Sequence, residues 1–426
     1  MYKKSVLPNG LRIVSKQIKQ RESVSVGFWF GVGGRYEEDR IKGAAHYLEH
    51  IVFKGSKKYA CEEIKERIEG VGGALNAFTS EEQTCFYAKI PTKHFKSTFD
   101  VLADMVFFPN IATKDVEKER TVILEEIKMY HDLPQYAVMD LVDQLVWPDH
   151  PLGKNIAGSL ETVSQMSPQS LRNFHGHYYL PGNAVVSVCG SIPHDLIERV
   201  AKQKLGKVTQ KQEWSYEPFQ ISQSEPRMKI MEKEIEQMHL ALAIPSYPED
   251  HPDRFALNIL NVLLGGNMSS RLFVEVREKK GLAYSISSGI KTLHDTGVFL
   301  VRAGVETHKV ADAVSVILKE LAKVKRTRVP LDEFRRARDY LLGQLVIGLE
   351  DTMEYMLWIG DAMISRNSKR SLRTAISEYE KVKPADLQRV AKEIFQENRY
   401  NLALVGPLEK QQKAQLQKLL KVSHTQ

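Results

Sequence analysis

The chain has 426 residues, of which 42% are apolar, 27% charged and 8% aromatic. That length exceeds what one hydrophobic core fills, so two or more domains are expected, and the composition excludes a wholly disordered chain. The net charge of +7 arises from Lys and Arg interleaved with Asp and Glu, without the basic block or motif of a nucleic-acid binder, so no nucleic-acid partner is expected.

In chain order, Val6 and Leu7 lead into the turn Pro8-Asn9-Gly10 and a strand over residues 11–14. Residues 24–30 read as a second strand, closed by Gly33-Gly34. Apolar residues at helical spacing predict helices over 44–53, 61–71, 95–107 and 115–129, and the Thr-, Phe- and Tyr-rich stretch 76–90 reads as strand. Strands and helices mix without a strict βαβ rhythm, so the expected class is α+β. A polar stretch near 206–226 lacks an apolar period. It predicts an N-terminal domain over 1–210, a linker over 211–226 and a C-terminal domain over 227–426. The halves echo each other. Gly73-Ala74-Leu75-Asn76 in the first corresponds to Gly281-Leu282-Ala283-Tyr284 in the second, as an internal duplication would produce.

The first ten residues hold no apolar core of a signal peptide, and no run long enough to cross a membrane follows, so no membrane partner is expected. Cys61, Cys85 and Cys189 are far apart and form no Cys-x-x-Cys spacing. A reducing, cytoplasmic setting is the expectation.

The chemistry concentrates in His46-Tyr47-Leu48-Glu49-His50. On a helix, positions i and i+4 share a face, so both imidazoles can reach one ion with the i+3 carboxylate beside them. A catalytic zinc takes three protein ligands and keeps one position open. Glu49, on the same turn as the histidines, is poorly placed to be the third ligand and well placed as a base toward metal-activated water. The third ligand should come from another element. Glu126 is the choice, with Glu119 two helical turns away on the same face as a supporting group.

These residues resemble the pitrilysin and insulinase-like zinc metallopeptidases, in particular the short two-domain branch with the mitochondrial processing peptidase subunits and their bacterial relatives. The matching pieces are Gly33-Gly34-Arg35, residues 45–56 around the HxxEH motif, residues 72–79 and residues 119–130. The resemblance extends through nearly the whole chain. It implies two structurally similar domains, each a mostly antiparallel sheet packed by helices. It makes Glu126 a zinc ligand and Glu119 its auxiliary, with one Zn2+ per chain. Arg277 and Tyr284 match the pair that holds the substrate carbonyl and stabilises the oxyanion, which a guanidinium and a phenol can do by donating to developing charge. Substrate would add as a strand along Leu75, Asn76, Ala77, Phe78 and Thr79.

In the second half, residues 257–261 replace the HxxEH segment and Leu342 falls near the position of the zinc glutamate. The expected protein is a zinc endopeptidase or oligopeptidase acting on peptides or unfolded segments, as a homodimer or with a related subunit. The rival expectation is a non-catalytic partner subunit of the same fold.

Overall fold

The computed structural model describes residues 2–208, 214–367 and 371–422; residues 211–213 of the expected linker lie outside the described residues. The chain divides into two compact units, one formed by residues 1–128, 155–217 and 346–372, the other by 129–154, 218–345 and 373–426. The chain passes from the first unit to the second within the polar stretch, between Glu217 and Pro218. Unlike the single cut read from the sequence, each unit also holds a helix drawn from the other half of the chain.

The first unit is built on a sheet of β1 (Lys3–Val6), β2 (Arg12–Gln17), β3 (Ser23–Phe30), β4 (Ala74–Thr79), β5 (Thr84–Pro91) and β6 (Ala184–Gly190), in the order β1-β2-β6-β3-β5-β4. Only β2 and β6 run parallel. Residues 76–90, expected as strand, are therefore an antiparallel hairpin turning at Ser80–Gln83, where the Ser80 hydroxyl donates to the Gln83 carbonyl at 3.0 Å.

Strand β3 explains how the unit closes. Val24, Val26, Phe28 and Phe30 enter the main core beneath the helices Ala44–Val52 and Phe95–Phe107. Ser25, Gly27 and Trp29 alternate onto the opposite face. That face is covered by the helix Thr352–Arg366, whose Gly360 lies so close to Trp29 that a Cβ there would sit 2.2 Å from the indole nitrogen. All residues of β3 after Ser23 are buried, as a strand covered on both faces requires.

The second unit repeats the plan with β7 (Arg227–Met231), β8 (Gln237–Ser246), β9 (Ala283–Thr292), β10 (Gly297–Glu306) and β11 (Asn401–Val405), ordered β7-β11-β8-β10-β9. Again one pair, β7 with β11, is parallel and the rest antiparallel. Leu240, Leu242 and Ile244 face its main core, while the small residues Ala241, Ala243 and Ala403 face the helix Pro134–Val146. The arrangement β2-β6-β3-β5-β4 and its counterpart β7-β11-β8-β10-β9 thus have the same directions in the same order. No helix among the described residues is long and apolar enough to cross a membrane.

A half-buried histidine gives the first unit an acid-sensitive element. His175 donates through Nε2 to the Val106 carbonyl at 2.8 Å and stacks on Tyr179, and burial lowers its pKa from 6.5 to about 4. Below pH 6.5 the unfolded chain takes up a proton that the folded chain refuses until about pH 4. Stability is therefore complete above that window and falls as pH drops through it, by up to about 3 kcal/mol. In His175→Gln the urea midpoint should decline less steeply than in the parent between those pH values. Parallel declines would show that this ring does not set the acid limit.

Candidate metal centre

The helix Ala44–Val52 carries the HxxEH motif and is held at its start by a buried carboxylate. Gly43, with φ +99°, precedes it, and a Cβ at this glycine would meet the Ala157 carbonyl oxygen at 2.6 Å. That combination of left-handed backbone and close approach calls for glycine. Glu37 accepts from the backbone N–H groups of Gly43 at 2.9 Å and Ala45 at 2.7 Å, satisfying donors that a helix start leaves open. Its counter-charge is Lys42, 3.5 Å away.

The helix buries Ala44, Ala45, Tyr47, Leu48, Ile51 and Val52, which leaves His46, Glu49 and His50 on its opposite, partly open face. Tyr47 donates its hydroxyl to the Val116 carbonyl at 2.5 Å, tying this helix to the neighbouring helix Thr113–Asp132. Val116 and Ile123 anchor that second helix in the core, and Glu119 and Glu126 stand two turns apart along it.

His46, His50 and Glu126 come together: one ligand atom from each lies within 4.8 Å of the others. His46 Nε2 is 3.8 Å from one carboxylate oxygen of Glu126, and His50 Nε2 is 3.4 Å from the other. Burial, with His50 adding to it and Glu126 opposing, lowers the pKa of His46, which favours the neutral imidazole whose lone pair a metal ion needs. Burial also works on His50, but the hydrogen bond and charge of Glu126, with Glu119 and Glu49, overcome it and raise the pKa. Two imidazole nitrogens and a carboxylate are the chemistry of a three-ligand zinc site with an open position, so the donor set fits the ion expected from the motif.

Glu49 stands beside this group without joining it. Its Oε2 accepts from the Thr79 hydroxyl at 2.6 Å, and burial raises its pKa, opposed by that hydrogen bond. Behind His50, Glu119 accepts from Nδ1 at 3.2 Å, and Lys54 Nζ lies 2.5 Å from the other Glu119 oxygen. Lys54 and the link from Thr79 to Glu49 were absent from the motif reading. The available signal was a lysine one turn past His50 and a hydroxyl at the end of the candidate substrate strand.

Leu75, Asn76, Ala77, Phe78 and Thr79 lie on β4, the outermost strand of its sheet, paired with β5 alone among the described residues. Asn76 is exposed, whereas Phe78 packs edge-on to Trp29 at 5.7 Å. Arg277 and Tyr284 belong to the second unit. Arg277 lies in a π-helical segment, Phe273–Lys279, with its guanidinium 4.8 Å from the Phe273 ring and 5.9 Å from the Tyr284 ring. Tyr284, near the start of the outer strand β9, is 76% exposed. In that unit the helix Arg254–Gly265 carries Leu257, buried in the core, and Asn261, whose side-chain carbonyl accepts from the Ser288 hydroxyl at 2.7 Å. Leu342 is packed against the same core.

Residues 12–160 match the family described as Insulinase (Peptidase family M16), and residues 165–341 match the description Peptidase M16 inactive domain. An uncharacterized zinc protease of Bacillus subtilis is 35% identical over 412 residues, which cover 96% of this chain and 98% of that protein. Another, from Mycobacterium tuberculosis, is 35% identical over 408 residues, covering 95% and 93%. A protease from Helicobacter pylori of known structure has a TM-score of 0.90 at 25% identity, covering 96% of this chain and 100% of that one. A peptidase M16 inactive domain from Pseudomonas fluorescens shares the fold, with a TM-score of 0.89 at 17% identity over 96% of this chain and 98% of that one. The chain belongs to the insulinase family of peptidases, peptidase family M16.

Proposed function

We propose that the protein is a zinc-dependent endopeptidase or oligopeptidase that hydrolyses peptides or unfolded segments. The observation that carries this reading is the convergence of His46, His50 and Glu126 with the Glu49 carboxylate beside them. Held by those three residues, one zinc ion would supply Lewis acidity, polarising a carbonyl and acidifying water toward a pKa of about 7. Glu49 accepts the proton of the attacking water through Oε1 while Thr79 holds Oε2, and then hands it to the leaving amine. The edge of β4 that no other strand covers among the described residues offers backbone groups to an extended chain, a mode that favours unfolded over folded substrate. Arg277 and Tyr284 take the oxyanion and carbonyl roles on the strength of the resemblance.

The second reading is a partner subunit without activity. It is favoured by one finding: residues 165–341 match a domain described as inactive. Against it, the ligand set lies within the other matched segment, residues 12–160, and is complete. The three cysteines are free, which suits a reducing, cytoplasmic setting. Assembly as a homodimer rests on the resemblance and is read from the mass of the zinc-loaded protein in solution.

The test is a library of quenched fluorescent peptides offered to protein stripped by a chelator and then given zinc. Cleavage should vanish on stripping and return at about one zinc per chain. A protein that holds one zinc and cuts no peptide is better read as the partner subunit.

A further inference from the structure

We infer that Lys54 is a positioning residue of the metal centre: it fixes the Glu119 carboxylate, which in turn aims the Nε2 lone pair of His50 at the ion. This rests on the zinc reading above and adds to it a residue that acts through two others.

Glu119 is only 4% exposed. A carboxylate so placed is costly unless a cation and hydrogen bonds compensate it. Its two oxygens are divided between two partners, Oε1 lying 2.5 Å from Lys54 Nζ and Oε2 3.2 Å from His50 Nδ1. With an acceptor on that side, the neutral imidazole keeps its hydrogen on Nδ1, which leaves Nε2, the nitrogen that faces Glu126, as the one to bind an ion. Lys54 reaches back because the helix ends at Val52 and the turn continues, the Lys54 N–H donating to the Ile51 carbonyl at 2.9 Å. Its side chain keeps 29% exposure, so the ammonium stays partly hydrated while its charge meets the buried carboxylate.

The two histidines are therefore unequally supported. His46 Nδ1 is buried and makes no hydrogen bond among the described residues. The orientation and tautomer of His50 are set by the protein, and Lys54 is the outer end of the chain that sets them. Partners of this kind contribute about 10- to 100-fold in metal affinity.

The experiment measures the zinc dissociation constant by competition with a chromogenic chelator, with no peptide present, for the parent, Lys54→Met, Lys54→Arg, Glu119→Gln and the Lys54→Met/Glu119→Gln double variant. Circular dichroism of the zinc-free forms checks that each is folded. Lys54→Met should bind zinc about 10- to 100-fold more weakly, and Lys54→Arg should recover most of that loss. In the Glu119→Gln background, Lys54→Met should cost nothing further, since the two act in series. Lys54→Met with parental affinity, or full additivity in the double variant, overturns the inference while the zinc reading stands. A folded parent with no measurable zinc affinity overturns both.

Discussion

Glu49→Gln is expected to lower kcat by about 10²- to 10⁴-fold while the protein keeps its zinc. The substitution preserves shape, and the amide oxygen can still accept the Thr79 hydroxyl now bonded at 2.6 Å. What is lost is the ability to take a proton from water and return it to the amine. The deficit corresponds to about 3–5.5 kcal/mol of transition-state stabilisation. An interaction used only in that step should depress kcat and kcat/KM together, with KM little changed. Zinc content is the control, because Glu49 lies outside the group formed by His46, His50 and Glu126. Activity within tenfold of the parent would remove Glu49 as the base. Loss of zinc together with activity would make it part of the scaffold instead.

The HxxEH helix was legible because three of its five motif residues fall on one face and the intervening Tyr47 and Leu48 are core residues, so chemistry and periodicity agreed. Glu126 was legible for the same reason, through its seven-residue spacing from Glu119. The turn inside residues 76–90 was hidden because Ser80-Glu81-Glu82-Gln83 contains neither Gly nor Pro. It is held from a distance: the Gly34 N–H donates to the Ser80 carbonyl at 3.1 Å, the Arg35 N–H to the Glu81 carbonyl at 2.8 Å, and the Arg35 guanidinium to Glu82 at 2.7 Å. The helices Pro134–Val146 and Thr352–Arg366 posed a different difficulty. A helical period says which side is apolar but not which sheet it will cover. The alanines at 241, 243 and 403 leave room for a helix without naming it. No sequence pattern gives Lys54 a role, because it lies beyond the helix end, where neither helical nor strand spacing assigns a direction to its side chain.

Trp29→Ala is expected to destabilise the first unit by about 3–5 kcal/mol, the cost of emptying a large buried aromatic site. Trp29 is 1% exposed and lies between β3 and the helix Thr352–Arg366, against Gly360. Its Nε1 donates to the Ser187 hydroxyl at 2.8 Å, so truncation also leaves a buried polar group without its partner. The neighbours have little to fill the cavity with, since Gly27 and Gly360 have no side chains and Met356 is the flexible group nearest to Gly27. The converse change, Gly360→Val, should be destabilising through overpacking, by about 1–3 kcal/mol, because branched carbons would enter the indole. The loss should also reach the candidate substrate strand, as Phe78 of β4 stacks edge-on to Trp29 at 5.7 Å. Urea unfolding of zinc-free protein, followed by circular dichroism, gives the comparison, and the midpoint should fall in the variant. A Trp29→Ala cost below about 1 kcal/mol, a value usual for surface positions, would mean that the helix from the second half of the sequence does not cover this sheet face in solution.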